Sequence, residues 1–118
     1  MNALHELEWH RERMNRFFDN IDLLLSPALA VPAFPIQKFP DEINGQSVDE
    51  MWGYTPFTFP INMSGQTAAT VPCGFSSEGL PIGLHIVGPK GGEVQVIRAS
   101  AAYEEARPWQ HHRPLGFE

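Results

Sequence analysis

The chain has 118 residues, with 42% hydrophobic and 19% charged side chains; that gives room for one small globular domain and excludes a disordered tract. Its formal charge of −6, with eight Lys and Arg residues spread along the chain, excludes the clustered positive surface that nucleic-acid phosphates require. A single cysteine, Cys73, excludes an internal disulfide, and no apolar run approaches the ~18 residues of a membrane span.

Residues 2–19 are predicted as a helix, because Leu4, Leu7, Met14 and Phe18 recur near helical spacing with Glu and Arg between them. The polar start of this helix does not resemble a signal peptide, so a cytoplasmic protein is expected. Glu8 with Arg11, and Glu12 with Arg16, are spaced to pair on its wet side. A short apolar run at 22–26 then reads as a buried strand ending at Ser26-Pro27, since proline cannot donate to a ladder. Residues 27–55 read as a long connection held extended by Pro27, Pro32, Pro35 and Pro40, with a turn at Asn44-Gly45. So long a loop in so small a domain points to a binding loop, or to a segment laid over a larger body.

Residues 56–65 carry helix signals, with Pro56 in the first turn, Phe57, Ile61 and Ser64 on one face, and Gly65 as a cap. Strands are predicted at 68–73 and 82–87, joined by a Ser- and Gly-containing hairpin loop. Neither face of the second strand is charged, so cover on both sides is expected. A helix follows at 93–107, opened by Glu93 and stopped by Pro108, and the tail from Trp109 is irregular. The fold class is therefore α/β: about three strands flanked by an N-terminal, a short and a C-terminal helix.

The candidate chemistry is sparse. Gly74-Phe75-Ser76-Ser77-Glu78 begins like a nucleophile elbow but lacks its final Gly, and it lies between two strands. Gly88-Pro89-Lys90-Gly91-Gly92 lacks the spacing and Lys-Ser/Thr ending of a phosphate loop. His111 and His112 should diverge on regular structure, and His5 and His10 miss the i,i+4 spacing of a helical ligand pair. No metal and no cofactor are expected. Cys73 lies at a strand end among apolar residues and reads as a packed, inert thiol.

Two blocks carry a recognisable text. Phe57-Thr58-Phe59-Pro60-Ile61-Asn62-Met63-Ser64-Gly65-Gln66-Thr67-Ala68-Ala69-Thr70-Val71-Pro72-Cys73-Gly74 and Gly79-Leu80-Pro81-Ile82-Gly83-Leu84-His85-Ile86-Val87-Gly88-Pro89 resemble the late conserved part of the amidase signature family. The resemblance implies a C-terminal segment of that family's mixed sheet, and carbon–nitrogen amide hydrolysis in an intact enzyme. The family's nucleophilic serine, its second serine and its lysine lie before this block. The only lysines here are Lys38 and Lys90, so no residue is expected to inherit a catalytic role, and the chain alone is expected to be inactive. The resemblance also implies that Trp52, Thr55 and Phe57 wall a substrate pocket. It further marks two departures: Thr55 stands where the family's amidotransferases carry an Asp, and His85 where the family commonly has Gln. Strands that look apolar on both faces should leave surface for self-association, or for docking on an N-terminal amidase portion.

Overall fold

The computed structural model describes residues 2–117. Helix α1 spans Ala3–Phe17, capped by the Asn2 side chain, which accepts from the His5 amide. It is three residues shorter than the predicted 2–19. The first strand, β1, covers Leu24–Pro27, two residues later than predicted, and Pro27 lies inside it. A proline is tolerated there because β1 is an edge strand with one unpaired side.

The long connection is not structureless. Its Asn44-Gly45 turn joins two short strands, β2 (Glu42–Ile43) and β3 (Gln46–Ser47), with both turn residues at positive φ, 52° and 75°. That is the backbone twist two-residue hairpins favour. Phe34, Phe39 and Tyr54 pack as a three-ring cluster with centroids 5.1–5.9 Å apart, and the Ala30 amide donates to the Tyr54 carbonyl. The segment 27–55 is thus clasped at its base by its own side chains, as compact loops are.

Helix α2 is confined to Phe59–Ser64, shorter than the predicted 56–65. Pro60 sits in its first turn, where the missing N–H costs nothing, and residues before it form turns. Gly65 closes it in the left-handed conformation, φ 76°, with its amide on the Ile61 carbonyl. Strand β4 (Thr67–Phe75) and strand β5 (Pro81–Gly88) form the predicted hairpin and extend it at both ends. Helix α3 covers Glu93–Ala106.

The sheet order is β1-β5-β4, antiparallel throughout, so β5 is central. Neighbouring residues of β5 point to opposite faces. Val87 joins Phe18 and Ile61 in the core, flanked by Met14 and Leu24; this face is covered by α1 and α2. Gly88 turns to the other face, where the Val96 side chain of α3 comes so near that a Cβ at Gly88 would sit 2.8 Å from it. The glycine lets the helix approach the sheet closely.

The cover expected on both faces of the second strand holds for His85–Gly88, all buried, but not at its start, where Pro81 and Ile82 are exposed; β4 is open as well. Its residues alternate: Thr67, Ala69, Val71 and Cys73 are half-buried, while Ala68, Thr70 and Pro72 are exposed. The helices α1 and α2 reach only the Val87 end of their face. The molecule is correspondingly open. Its radius of gyration is 16.5 Å, against about 13.5 Å for a compact chain of this length.

Candidate functional site

The three residues expected at a pocket wall lie on one run of tight turns. The Asp49 carboxylate accepts from the Met51 and Trp52 amides at 2.9 and 2.8 Å, and its carbonyl accepts from the Gly53 amide at 2.7 Å. The carbonyl of Trp52 then receives both the amide and the hydroxyl of Thr55, at 3.0 and 2.9 Å. An aspartate two and three residues before its donors is an Asx-type turn, and it aims the Trp52 ring at Phe59, 5.9 Å away. Trp52 and Phe57 remain exposed, at 56% and 38%. Thr55 spends its hydroxyl proton on its own turn.

Gly53 cannot carry a side chain here. A Cβ would lie 2.5 Å from the Asp49 carbonyl oxygen and 2.5 Å from Val48 Cβ. Gly53→Ala is expected to destabilise the chain by about 1–3 kcal/mol through this overpacking, read as a lower urea midpoint with an unchanged slope.

Two cavities occur elsewhere. One, of about 710 Å³, lies between the far end of β4 and the tail, lined by Cys73, Phe75, Arg107 and Trp109 among others. The other, of about 440 Å³, lies under the start of the Pro-rich connection against Thr70 and Gly83. Neither includes Trp52, Thr55 or Phe57. Trp52 and Phe57 are exposed on these turns, and Thr55 is half-buried between them. The first cavity was invisible in the sequence because it depends on the tail folding back. His112 stacks on Phe75 at 4.9 Å, and the rings of His111 and His112 lie 4.1 Å apart, where divergence was expected. The tail has no regular secondary structure to separate them.

The helix-1 polar face also departs from expectation. Arg11 turns its guanidinium to the Met63 carbonyl, 3.1 Å, and the His10 ring meets the Pro60 carbonyl, 2.9 Å. Both tie α1 to α2, and Arg11 supplies a partner for one of that helix's last carbonyls. Arg13 lies over the Trp9 ring at 4.5 Å, a cation–π contact. Among the described residues, no group of three or more His, Cys, Asp and Glu comes together as a metal site, and no helix is long and apolar enough to cross a membrane.

His85 lies in the middle of the sheet, opposite Ser26 on β1 and Thr70 on β4. It is buried, and desolvation holds its pKa below the ordinary value of 6.5. Ser26 Oγ lies 3.5 Å from Nδ1 but donates its proton to the Pro27 carbonyl at 3.0 Å. The 3.5 Å separation is looser than the about 2.6–3.2 Å of a nucleophile hydrogen-bonded to its base.

Three other serines bond to the backbone, while Ser47 and Ser77 are exposed. Ser64 and Ser100 donate to the carbonyls of Ile61 and Val96, each at 2.8 Å. Ser76 caps the β4–β5 turn, accepting from the Glu78 and Leu80 amides, so the elbow-like text is a hairpin turn. Lys38 and Lys90 are both exposed. In the Gly88–Gly92 loop the Gly92 amide donates to the Pro89 carbonyl, which makes it a turn leading into α3.

The comparisons with known proteins agree with this geometry. The Amidase family model matches residues 2–97. An acylamidase of Rhodococcus erythropolis is 38% identical over 99 residues, covering 83% of this chain and 21% of its own length. A glutamyl-tRNA(Gln) amidotransferase chain of Thermodesulfovibrio yellowstonii is 35% identical over 101 residues, covering 83% and 19%. Among solved structures, a bacterial aryl acylamidase of the amidase signature enzymes superposes with a TM-score of 0.79 at 37% identity, over 92% of this chain and 24% of that one. A 6-aminohexanoate cyclic dimer hydrolase superposes with a TM-score of 0.82 at 30% identity, over 94% and 25%. Fold and likeness together define an α/β module of the amidase type. The chain belongs to the amidase family, in its amidase signature branch. It spans about a fifth of the length of the curated relatives it matches.

Proposed function

We propose that this chain is the non-catalytic C-terminal portion of an amidase, serving carbon–nitrogen bond hydrolysis in an intact enzyme and inactive alone. The observation that carries this reading is the disposition of its hydroxyls and amines. Amide hydrolysis by a serine needs that hydroxyl beside a proton acceptor. Here Ser26, Ser64 and Ser100 donate to backbone carbonyls, and the two lysines lie on the exposed surface. In the intact enzyme Trp52, Thr55 and Phe57 would close one wall of the substrate pocket, with the opposite wall supplied from outside this chain. Their placement on one run of turns, with Trp52 and Phe57 exposed, supports that role.

The purified chain is expected to hydrolyse neither small acyl amides nor aryl anilides above the buffer rate. Turnover that a serine-directed reagent abolishes would end the proposal.

A second reading, that the isolated chain associates with copies of itself, is favoured by its surface. Among the described residues eighteen large hydrophobic side chains are exposed, including Leu4, Trp9, Met51, Val94 and Ile97, whereas five are buried. Exposed apolar area on this scale marks interaction surfaces.

A further inference from the structure

We infer that Trp52, Phe57 and Phe59 form a recognition wall for an aromatic group of the substrate amide, with Asp49 as its positioning residue. The inference deepens the pocket-wall reading of the proposed function and rests on it. No charged residue stands between Glu50 and Glu78, and four of the eight residues from Trp52 to Phe59 are aromatic. The stretch itself therefore offers no counter-ion to a charged group. Its threonine hydroxyls are already engaged: Thr55 donates to the Trp52 carbonyl at 2.9 Å, and Thr58 to the Thr55 carbonyl at 3.5 Å. Tyr54 belongs to the ring cluster with Phe34 and Phe39. What remains for a ligand is ring surface, and Trp52 and Phe57 are the exposed rings.

A ladder of turns holds these rings. Asp49 Oδ1 accepts from the Met51 and Trp52 amides at 2.9 and 2.8 Å. The Trp52 carbonyl accepts from Thr55, and the Thr55 carbonyl accepts from the Thr58 and Phe59 amides at 3.3 and 3.4 Å. The last rung opens α2, whose Ile61 lies in the core with Phe18 and Val87. Trp52 is thus tied to Phe59 twice, through backbone rungs and through an edge-on ring contact at 5.9 Å. Asp49 supplies the first rung from its side chain. Without it the Met51 and Trp52 amides lose the acceptor that closes that turn. Its effect on a ligand passes through Trp52.

A ring held in place discriminates between ligands of equal area. Aromatic pairs gain from edge-to-face or offset geometry beyond the area they bury, and a ring fixed in advance loses little freedom on contact. An alkyl amide gains the area alone. The wall accordingly favours an aryl amide over an alkyl amide of similar size, and the difference depends on Asp49.

Three tryptophans make the experiment self-controlled, because Trp9 lies on α1 beside Arg13 and Trp109 lines the tail cavity. In N–H correlation spectra of the 118-residue chain, acetanilide is added at about 10 mM, a concentration suited to a ligand held on one wall only. The Trp52 indole signal and the Phe57 and Phe59 amides should shift, while the Trp9 and Trp109 indoles stay in place. Hexanamide, an amide of similar size without a ring, should give shifts several-fold smaller. Asp49→Ala should lose most of the acetanilide response with the β4 and β5 signals unmoved. Asp49→Asn should restore it, since its amide oxygen accepts the same two N–H groups. A response centred on Trp9 or Trp109, an equal response to hexanamide, or none at all would overturn the aromatic wall. A D49A chain that responds like the parent or loses its β4 and β5 signals, or a D49N chain as unresponsive as D49A, would overturn the role of Asp49. Hydrolysis of acetanilide in the same sample would overturn the non-catalytic reading instead, and would leave the wall standing.

Discussion

Phe18→Ala is expected to cost about 3–5 kcal/mol and to remove much of the helical signal of the chain. The reason lies in how α1 is attached. Its fifteen residues include no buried side chain, and a helix of that length is marginal in water by itself. Phe18, the residue that caps it, is 9% exposed and meets Ile61 and Val87, with Met14 and Leu24 beside them. Its ring also meets Phe17 edge-on at 5.3 Å. Deleting the ring leaves α1 held by Met14 and by the hydrogen bonds of His10, Arg11 and Asn15. Small domains have roughly 5–15 kcal/mol of stability in all, so a loss of this size takes most of it. Phe18→Leu, which keeps apolar contact with Val87, should cost far less. Urea unfolding followed by far-UV circular dichroism distinguishes the two. Equal stability of F18A and the parent chain would mean that α1 does not depend on this contact.

Acidification is expected to weaken the fold through His85. Burial lowers its folded pKa below 6.5, so the folded chain favours the neutral ring while the unfolded chain titrates normally. As pH falls through 6.5 the unfolded state takes up the proton first, and stability drops. The drop ends once pH has passed below the folded pKa, where both states are charged. Above the unfolded value the stabilisation is fully present. His85→Gln should flatten this part of the stability–pH curve while retaining a hydrogen-bonding side chain between Ser26 and Thr70. A curve that keeps the same slope in the variant would assign the pH dependence to another group.

Local sequence was sufficient at some of these elements and not at others. The hairpin of β4 and β5, helix α3 and the Gly65 cap were legible because each combines a strong period with a turn or stop residue. The limits of α2 were less so: its signals began at Pro56, and the structure starts the helix at Phe59 with Pro60 in its first turn. β1 slipped by two residues because an apolar run such as Ile21–Leu25 has no internal period to fix its register. The two-residue strands at 42–47 were marked only by Asn44-Gly45, and the ring cluster of Phe34, Phe39 and Tyr54 joins residues too distant in sequence for any pattern to show.

The same holds for the candidate site. The text from Phe57 to Gly88 identifies the family without describing contacts. Nothing in the spacing of Arg11 or His10 foretold that both would hold backbone carbonyls of α2. Trp52, Thr55 and Phe57 were singled out by resemblance, and the structure adds how they are held: by Asp49, at a turn that requires Gly53. The cover of β5 was legible only for its second half, because an uncharged strand reads alike whether a layer lies over it or a face is open.

The clasp of three rings at the base of the Pro-rich connection has a kinetic and entropic corollary. A segment of that length would ordinarily lose considerable backbone freedom when another body settles on it, at about 1–2 kcal/mol per residue fixed. With Phe34 and Phe39 already seated on Tyr54, and the Ala30 amide bonded to the Tyr54 carbonyl, much of that loss has occurred before any encounter. Association can then proceed as docking of a preorganised surface instead of folding upon contact.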